Sequence, residues 1–209
     1  QNEMKKRIDL FGKKLKSGNG VGLFYFSGHG MQVKGENYLI PVGAKIDSEE
    51  YVEYESVRAG RIVAKMESAR NFMNILILDA CRNNPYARSF RSASQGLATL
   101  VAPVGTFIAY ATGPGSVASD GSEKSANGLY TGELIRHMGS PGLGIEEVFK
   151  RVRAAVYKKS KGKQTPWETM SLMPGAFYFV PPLQGAGKVE NPLQNMTFYD
   201  DGVRDLMIV

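Results

Sequence analysis

The spacing of hydrophobic positions changes several times along the chain, and each change marks an element. Met4, Ile8, Phe11 and Leu15 recur at helical spacing among lysines, which predicts an amphipathic helix over residues 1–16. "SGNG" then stops it. "VGLFYF" (21–26) is a near-continuous apolar run, the pattern of a strand buried on both faces in a parallel sheet. "MQVKGENYLIP" predicts a short hairpin turning at Lys34 and Gly35. Helical spacing resumes through "YESVRAGRIVAKMESARN", and "FMNILILD" predicts a second buried strand. Beyond a Ser/Arg-rich loop (82–96), "VGTFIAYAT" predicts a third strand, helices follow around 128–138 and 145–159, and "GAFYFV" (175–180) predicts a last strand. This alternation of helix and strand predicts a three-layer α/β sandwich, with a mostly parallel central sheet flanked by helices. The rhythm is lost after Pro181 and Pro182, so residues 183–209 read as a tail or linker.

Composition narrows the function classes. The chain has 209 residues, 43% hydrophobic and 22% charged, enough for one globular domain with a substantial core. No apolar run approaches the roughly 20 residues that cross a bilayer, so no membrane association is expected. The chain opens at Gln1 on a charged helical stretch rather than a signal peptide, and the missing initiator Met indicates an absent N-terminal piece. One cysteine excludes an internal disulfide, and with only two histidines the usual Cys/His zinc spacings are lacking, so no metal ligands are assigned. A single free thiol fits a reducing, cytoplasmic setting. The net charge of +6 comes from basic residues scattered through "MKKR", "GKKLK" and "YKKSKGK" with little aromatic interleaving, which reads as solvated helix faces and not a nucleic-acid site. "KIDSEEYVEYES" is rich in acids but lacks the Gly-punctuated alternation of an EF-hand loop.

The chemistry concentrates at two strand ends. In such sheets ligands bind beyond the carboxyl ends of the strands. "FYFSGHG" puts His29 just after the first strand, and "ILILDAC" puts Cys81, the only cysteine, just after the second. If those strands are parallel neighbours, both side chains reach one edge of the sheet. A thiol of pKa about 8.5 is mostly protonated at neutral pH, and a nearby imidazole can hold it ready as thiolate and later protonate a leaving amine. Glycines on both sides of His29 let the backbone approach a ligand and take unusual dihedral angles. The Gly30 N–H, with the Cys81 N–H, is a candidate oxyanion donor. Taken singly, a lone cysteine reads as a small buried hydrophobe and a lone histidine as a hydrogen-bonded loop residue. Their joint placement after two successive core strands favours a catalytic pair.

"FSGHG" followed downstream by "DACRN" resembles the caspase and metacaspase superfamily. "YATGPGSVASDG" (110–121) is similar to the caspase stretch that leaves the next strand and builds the substrate pocket. "QTPWETMSLMPGAFYFVP" (164–181) resembles the end of the small caspase subunit. The likeness covers residues 1–182, with four motifs in order. It implies a caspase-like peptidase domain acting on proteins or peptides, with Cys81 as nucleophile and His29 as general acid/base. No cofactor is required by the residues, though metacaspases often need calcium. The family fold also starts with a strand, a helix and another strand ahead of the helix that opens this chain. The resemblance thus implies that a missing N-terminal segment or a second chain completes the sheet.

Two departures bear on specificity. Caspases that cut after aspartate carry Gln where this chain has Asp79, and Arg where its pocket loop has Asp120. Both changes turn an anion-binding pocket into a cation-binding one, which resembles metacaspases and paracaspases, enzymes that cleave after Arg or Lys. By strand alternation Asp79 and Cys81 point to the same side. A carboxylate there disfavours the thiolate, and a substrate cation pairing with it relieves the effect. The plainer readings are a strand-end or helix-capping carboxylate for Asp79 and a turn residue in "SDG" for Asp120. An enzyme of this specificity could also cut itself after Arg82, Arg88 or Arg91, in the loop that follows the nucleophile, or after Lys124. The competing functions are a catalytically silent caspase-like interaction module and a related hydrolase of the same clan with another specificity.

Overall fold

The structure, a computed structural model, describes residues 1–15, 20–81, 96–114, 116, 127–183, 198–199 and 207–208. Its centre is three parallel strands: β1 (Val21–Val33), β4 (Met73–Cys81) and β5 (Thr106–Tyr110). Around them the sheet is antiparallel. β1 turns back into β2 (Glu36–Ile40), β3 (Val57–Arg58) flanks β2, and β6 (Trp167–Ser171) flanks β5, giving the order β3-β2-β1-β4-β5-β6. Two short strands, β7 (Phe198–Tyr199) and β8 (Met207–Ile208), pair with each other, and β8 lies antiparallel to Leu23 and Phe24 of β1. The hairpin turns where expected. Lys34 and Gly35 have φ of 51° and 83°, two successive left-handed residues as a type I′ turn requires.

Helices cover both faces. α1 (Asn2–Leu15) and α3 (Ala59–Ala69) pack on one, α4 (Leu129–Met138) and α5 (Ile145–Lys159) on the other. Strand alternation sorts the side chains. Phe24, Phe26, Leu76, Leu78, Ile108 and Tyr110 join Ile8, Phe11, Ile62 and Met66, with the Phe11 and Phe24 rings edge-on at 5.8 Å. Leu23, Ile75, Ile77, Phe107 and Ala109 join Tyr130, Leu134, Val148, Phe149 and Val152. Because β4 is buried on both faces, its middle, residues 75–78, is an aliphatic run with no polar alternation. Among the described residues, no helix is long and apolar enough to cross a membrane.

Two elements differ from the sequence expectation. The helical pattern through residues 54–71 is broken in two. α2 (Tyr51–Glu55) ends where Ser56 turns extended, at φ −126° and ψ 178°. Val57 and Arg58 then join β2 as a strand before α3 begins. Val57 is 1% exposed, and its burial beside Leu39 outweighs the local helical period. The aromatic stretch at 175–180 forms only an isolated bridge, Tyr178 to Gly144. Phe177 and Phe179 are buried as an edge-to-face pair, but the carbonyls of Phe177 and Val180 accept from Ile145 and Gly142, in the connection between α4 and α5. The edge strand is instead the more polar "WETMS", which pairs with β5.

Beside the hairpin, Asn37 is fully buried. Its amide donates to the Ala98 carbonyl at 2.7 Å, and its Oδ1 accepts from the Ala98 N–H at 2.6 Å. This two-point clamp ties the returning chain to β2. Asn37→Leu, similar in shape, strands both Ala98 groups and should lower stability by about 1–3 kcal/mol. A urea midpoint equal to wild type would show that the clamp contributes nothing.

Candidate active site

The parallel ladder between β1 and β4 runs from Val21 opposite Met73 to His29 opposite Cys81, where β4 ends. The two strands expected to be neighbours are neighbours, and their candidate residues share one register position. His29 differs from expectation in lying within a strand. β1 continues through "SGHG" into the hairpin, so His29 also pairs with Ile40 as the first residue of the β1–β2 ladder. Its side chain is exposed. The Cys81 side chain lies outside the described part, as do Asp120, Arg82, Arg88, Arg91 and Lys124.

The glycines beside His29 do not take the unusual dihedral angles expected of them. Gly28 and Gly30 both lie in extended strand, and neither takes a positive φ. What they supply is room. A Cβ on Gly30 would sit 2.9 Å from the Ala80 Cβ and 3.3 Å from Leu97 Cδ2, and one on Gly28 would sit 3.1 Å from the Phe26 ring. Gly30 thus lets the hairpin strand close against β4 beside its last residue.

Asp79 is buried in β4, opposite Ser27 of β1. It is not the N-cap of α4, which is Gly128. The Thr131 hydroxyl, in the first turn of α4, donates to Asp79 Oδ2, and Tyr25 Oη lies 2.6 Å from the same Thr131 oxygen. Next to Thr131, Tyr130 is completely buried. Burial first, and the Asp79 charge second, push its phenol well above the usual tyrosine range. Tyr25 and Thr131 were not found from the sequence. They come from β1 and α4, and no local spacing links them to Asp79.

The stretch leaving β5 is held by the far end of the chain. Gln164, 1% exposed, donates through Nε2 to the Ala111 carbonyl at 2.9 Å. The Thr112 hydroxyl bonds the Ser116 carbonyl at 3.1 Å. The conspicuous "QTP" of the sequence thereby acts as a brace beneath the strand end.

Glu53 pairs with Arg58, and among the described residues no group of three or more His, Cys, Asp or Glu side chains is placed to hold a metal ion.

A family model for the caspase domain matches residues 1–178. That span holds both strand ends, Asp79 and the helices on both faces of the sheet, and the α/β architecture agrees with it. No curated protein matches the chain significantly.

Packing at the strand end carries an expected asymmetry. Gly30→Ala must push β1 away from Ala80 and should cost about 1–3 kcal/mol. Gly60→Ala, in α3 with nothing within 4 Å of the added methyl, should stabilise by about 0.5–1 kcal/mol. Thermal melts of the two variants check the opposite signs.

Proposed function

The chain belongs to the caspase-domain family, and we propose that it is a cysteine endopeptidase that cuts peptide bonds after Arg or Lys. The observation that carries the reading is the shared register of His29 and Cys81, with buried Asp79 two residues earlier on the same strand. In this mechanism His29 takes the Cys81 proton, and the thiolate attacks the scissile carbonyl. The backbone N–H groups of Gly30 and Cys81 hold the developing oxyanion. His29 then protonates the leaving amine, which departs and leaves a thioester. Water, deprotonated by His29, attacks the thioester, and the thiolate leaves and regains a proton.

Asp79, with Asp120, pairs with the substrate cation. A buried carboxylate gains most from a partner that brings a full opposite charge and several donors, and an arginine side chain does both. The family supports cysteine-peptidase chemistry; the preference for basic residues rests on Asp79.

The direct test is turnover of matched fluorogenic peptides ending in Arg, Lys or Asp, by wild type and Cys81→Ala, with and without calcium. Cleavage after Arg and Lys is expected, and Cys81→Ala should abolish it. Asp79→Asn should cut kcat/KM on the Arg peptide roughly 30-fold or more, the size expected when one partner of a buried charge pair is removed. Cleavage after Asp alone would overturn the pocket assignment. A folded protein with no Cys81-dependent cleavage would point to an interaction module.

Self-processing follows from the same specificity. Intact masses of the wild type should show cuts after Arg82, Arg88, Arg91 or Lys124 that Cys81→Ala lacks. Identical masses for the two proteins would reject it.

A further inference from the structure

We infer that Thr131, backed by Tyr25, is a positioning residue that fixes the plane of the Asp79 carboxylate and thereby favours a guanidinium over an ammonium. The inference rests on the proposed role of Asp79 in binding the substrate cation. Its ground is a proton count. An ionised carboxylate only accepts hydrogen bonds, so the single Thr131 hydroxyl proton goes to Asp79 Oδ2. The contact between Tyr25 Oη and Thr131 Oγ1 at 2.6 Å then has one consistent direction, with Tyr25 as donor. The chain runs Tyr25 to Thr131 to Asp79, every proton pointing toward the acid, and each bond polarises the next.

Three elements hold this chain in place. Tyr25 lies on β1 opposite Ile77, and Asp79 lies two residues further along β4. Thr131 comes from the first turn of α4, the helix end at which a negative charge is favoured. Tyr25 packs against the cluster formed by α4 and α5, so the relay sits on a well-packed wall.

The consequence for selectivity is geometric. The terminal torsion of an aspartate is soft and roughly two-fold, so an unsupported carboxylate samples a wide range of planes. Lysine presents a compact charge that tolerates this range. Arginine presents a rigid planar fork and gains its second bond only when both carboxylate oxygens lie in its plane. Each oxygen accepts two hydrogen bonds, so Oδ2 can hold Thr131 and still serve the fork. Tyr130 provides a neighbouring comparison. Its hydroxyl is buried and has no hydrogen-bond partner among the described residues, so it lies outside the relay.

The test compares kcat and KM on matched Arg and Lys peptides for wild type, Thr131→Val, Thr131→Ser, Tyr25→Phe and Tyr130→Phe. Thr131→Val should lower kcat/KM on Arg about tenfold, mostly through KM, the size of one lost hydrogen bond to a charged group. The loss on Lys should be about threefold or less, so the Arg/Lys ratio falls. Thr131→Ser should restore the ratio, Tyr25→Phe should lie between, and Tyr130→Phe should match wild type. Calorimetric titration of the same peptides into Cys81→Ala proteins carrying each change gives the ratio without turnover and covers a weakly active enzyme. Wild-type cleavage after Arg with an unchanged ratio in Thr131→Val, or no rescue by serine, overturns the relay and leaves the peptidase reading standing. Neither cleavage by wild type nor binding to Cys81→Ala overturns both.

Discussion

The parallel ladder between β1 and β4 is the constraint on which the rest of the molecule depends. Every residue of β4 pairs with β1 in a single register. Side chains alternate along a strand, so a slip of one position would move Ile75 and Ile77 to the α1/α3 side and Leu76 and Leu78 to the α4/α5 side. It would also swing Asp79 away from α4 and separate it from Thr131. The aliphatic packing of both faces therefore fixes which residues meet at the strand end, and the hydrophobic core sets the geometry of the polar site.

Burial and polarity are reconciled at Asp79 in a particular way. A carboxylate this deep needs donors, and here a hydroxyl from α4 supplies one, supported by a second hydroxyl from β1. A hydroxyl donor supports a carboxylate without cancelling its charge. Glu133 on the same helix shows the other solution. It is buried more deeply, and although that burial raises its carboxyl, Lys159 and Arg136 reach it from the surface and their ion pairs hold it below the usual range. One acid is neutralised by cations of the protein itself and fastens α4 to α5. The other accepts a hydrogen bond from the Thr131 hydroxyl.

What could be read from the sequence follows the range of the interactions involved. β4 was legible because burial on both faces leaves an unbroken aliphatic run, and its partnership with β1 because two such runs end in "SGHG" and "DAC". The hairpin at Lys34 and Gly35 was legible because its turn chemistry is local. The break at Ser56 was not, since Val57 follows the helical period and leaves it only for a place beside Leu39. The "WETMS" strand was hidden by its polarity, and the aromatic run at 175–180 carried a strand signal while its carbonyls were used by a turn. Asp79 drew notice as a charge at the end of an apolar run. Tyr25 and Thr131 gave no signal, because only the topology brings β1, β4 and the start of α4 to one point. Gly30 carried a packing constraint against Ala80 that the sequence did not show.

His29 belongs to two ladders at once, with Cys81 on one side and Ile40 on the other. In the proposed mechanism this separates the two halves of the catalytic pair in kind. A base carried on a loop must be ordered in each catalytic cycle, whereas one carried in mid-strand has lost its backbone freedom already on folding. The backbone that carries the general base is then a fixed point, inseparable from the integrity of the sheet. A switch in such an enzyme would have to act on the His29 side chain or on the other half of the pair.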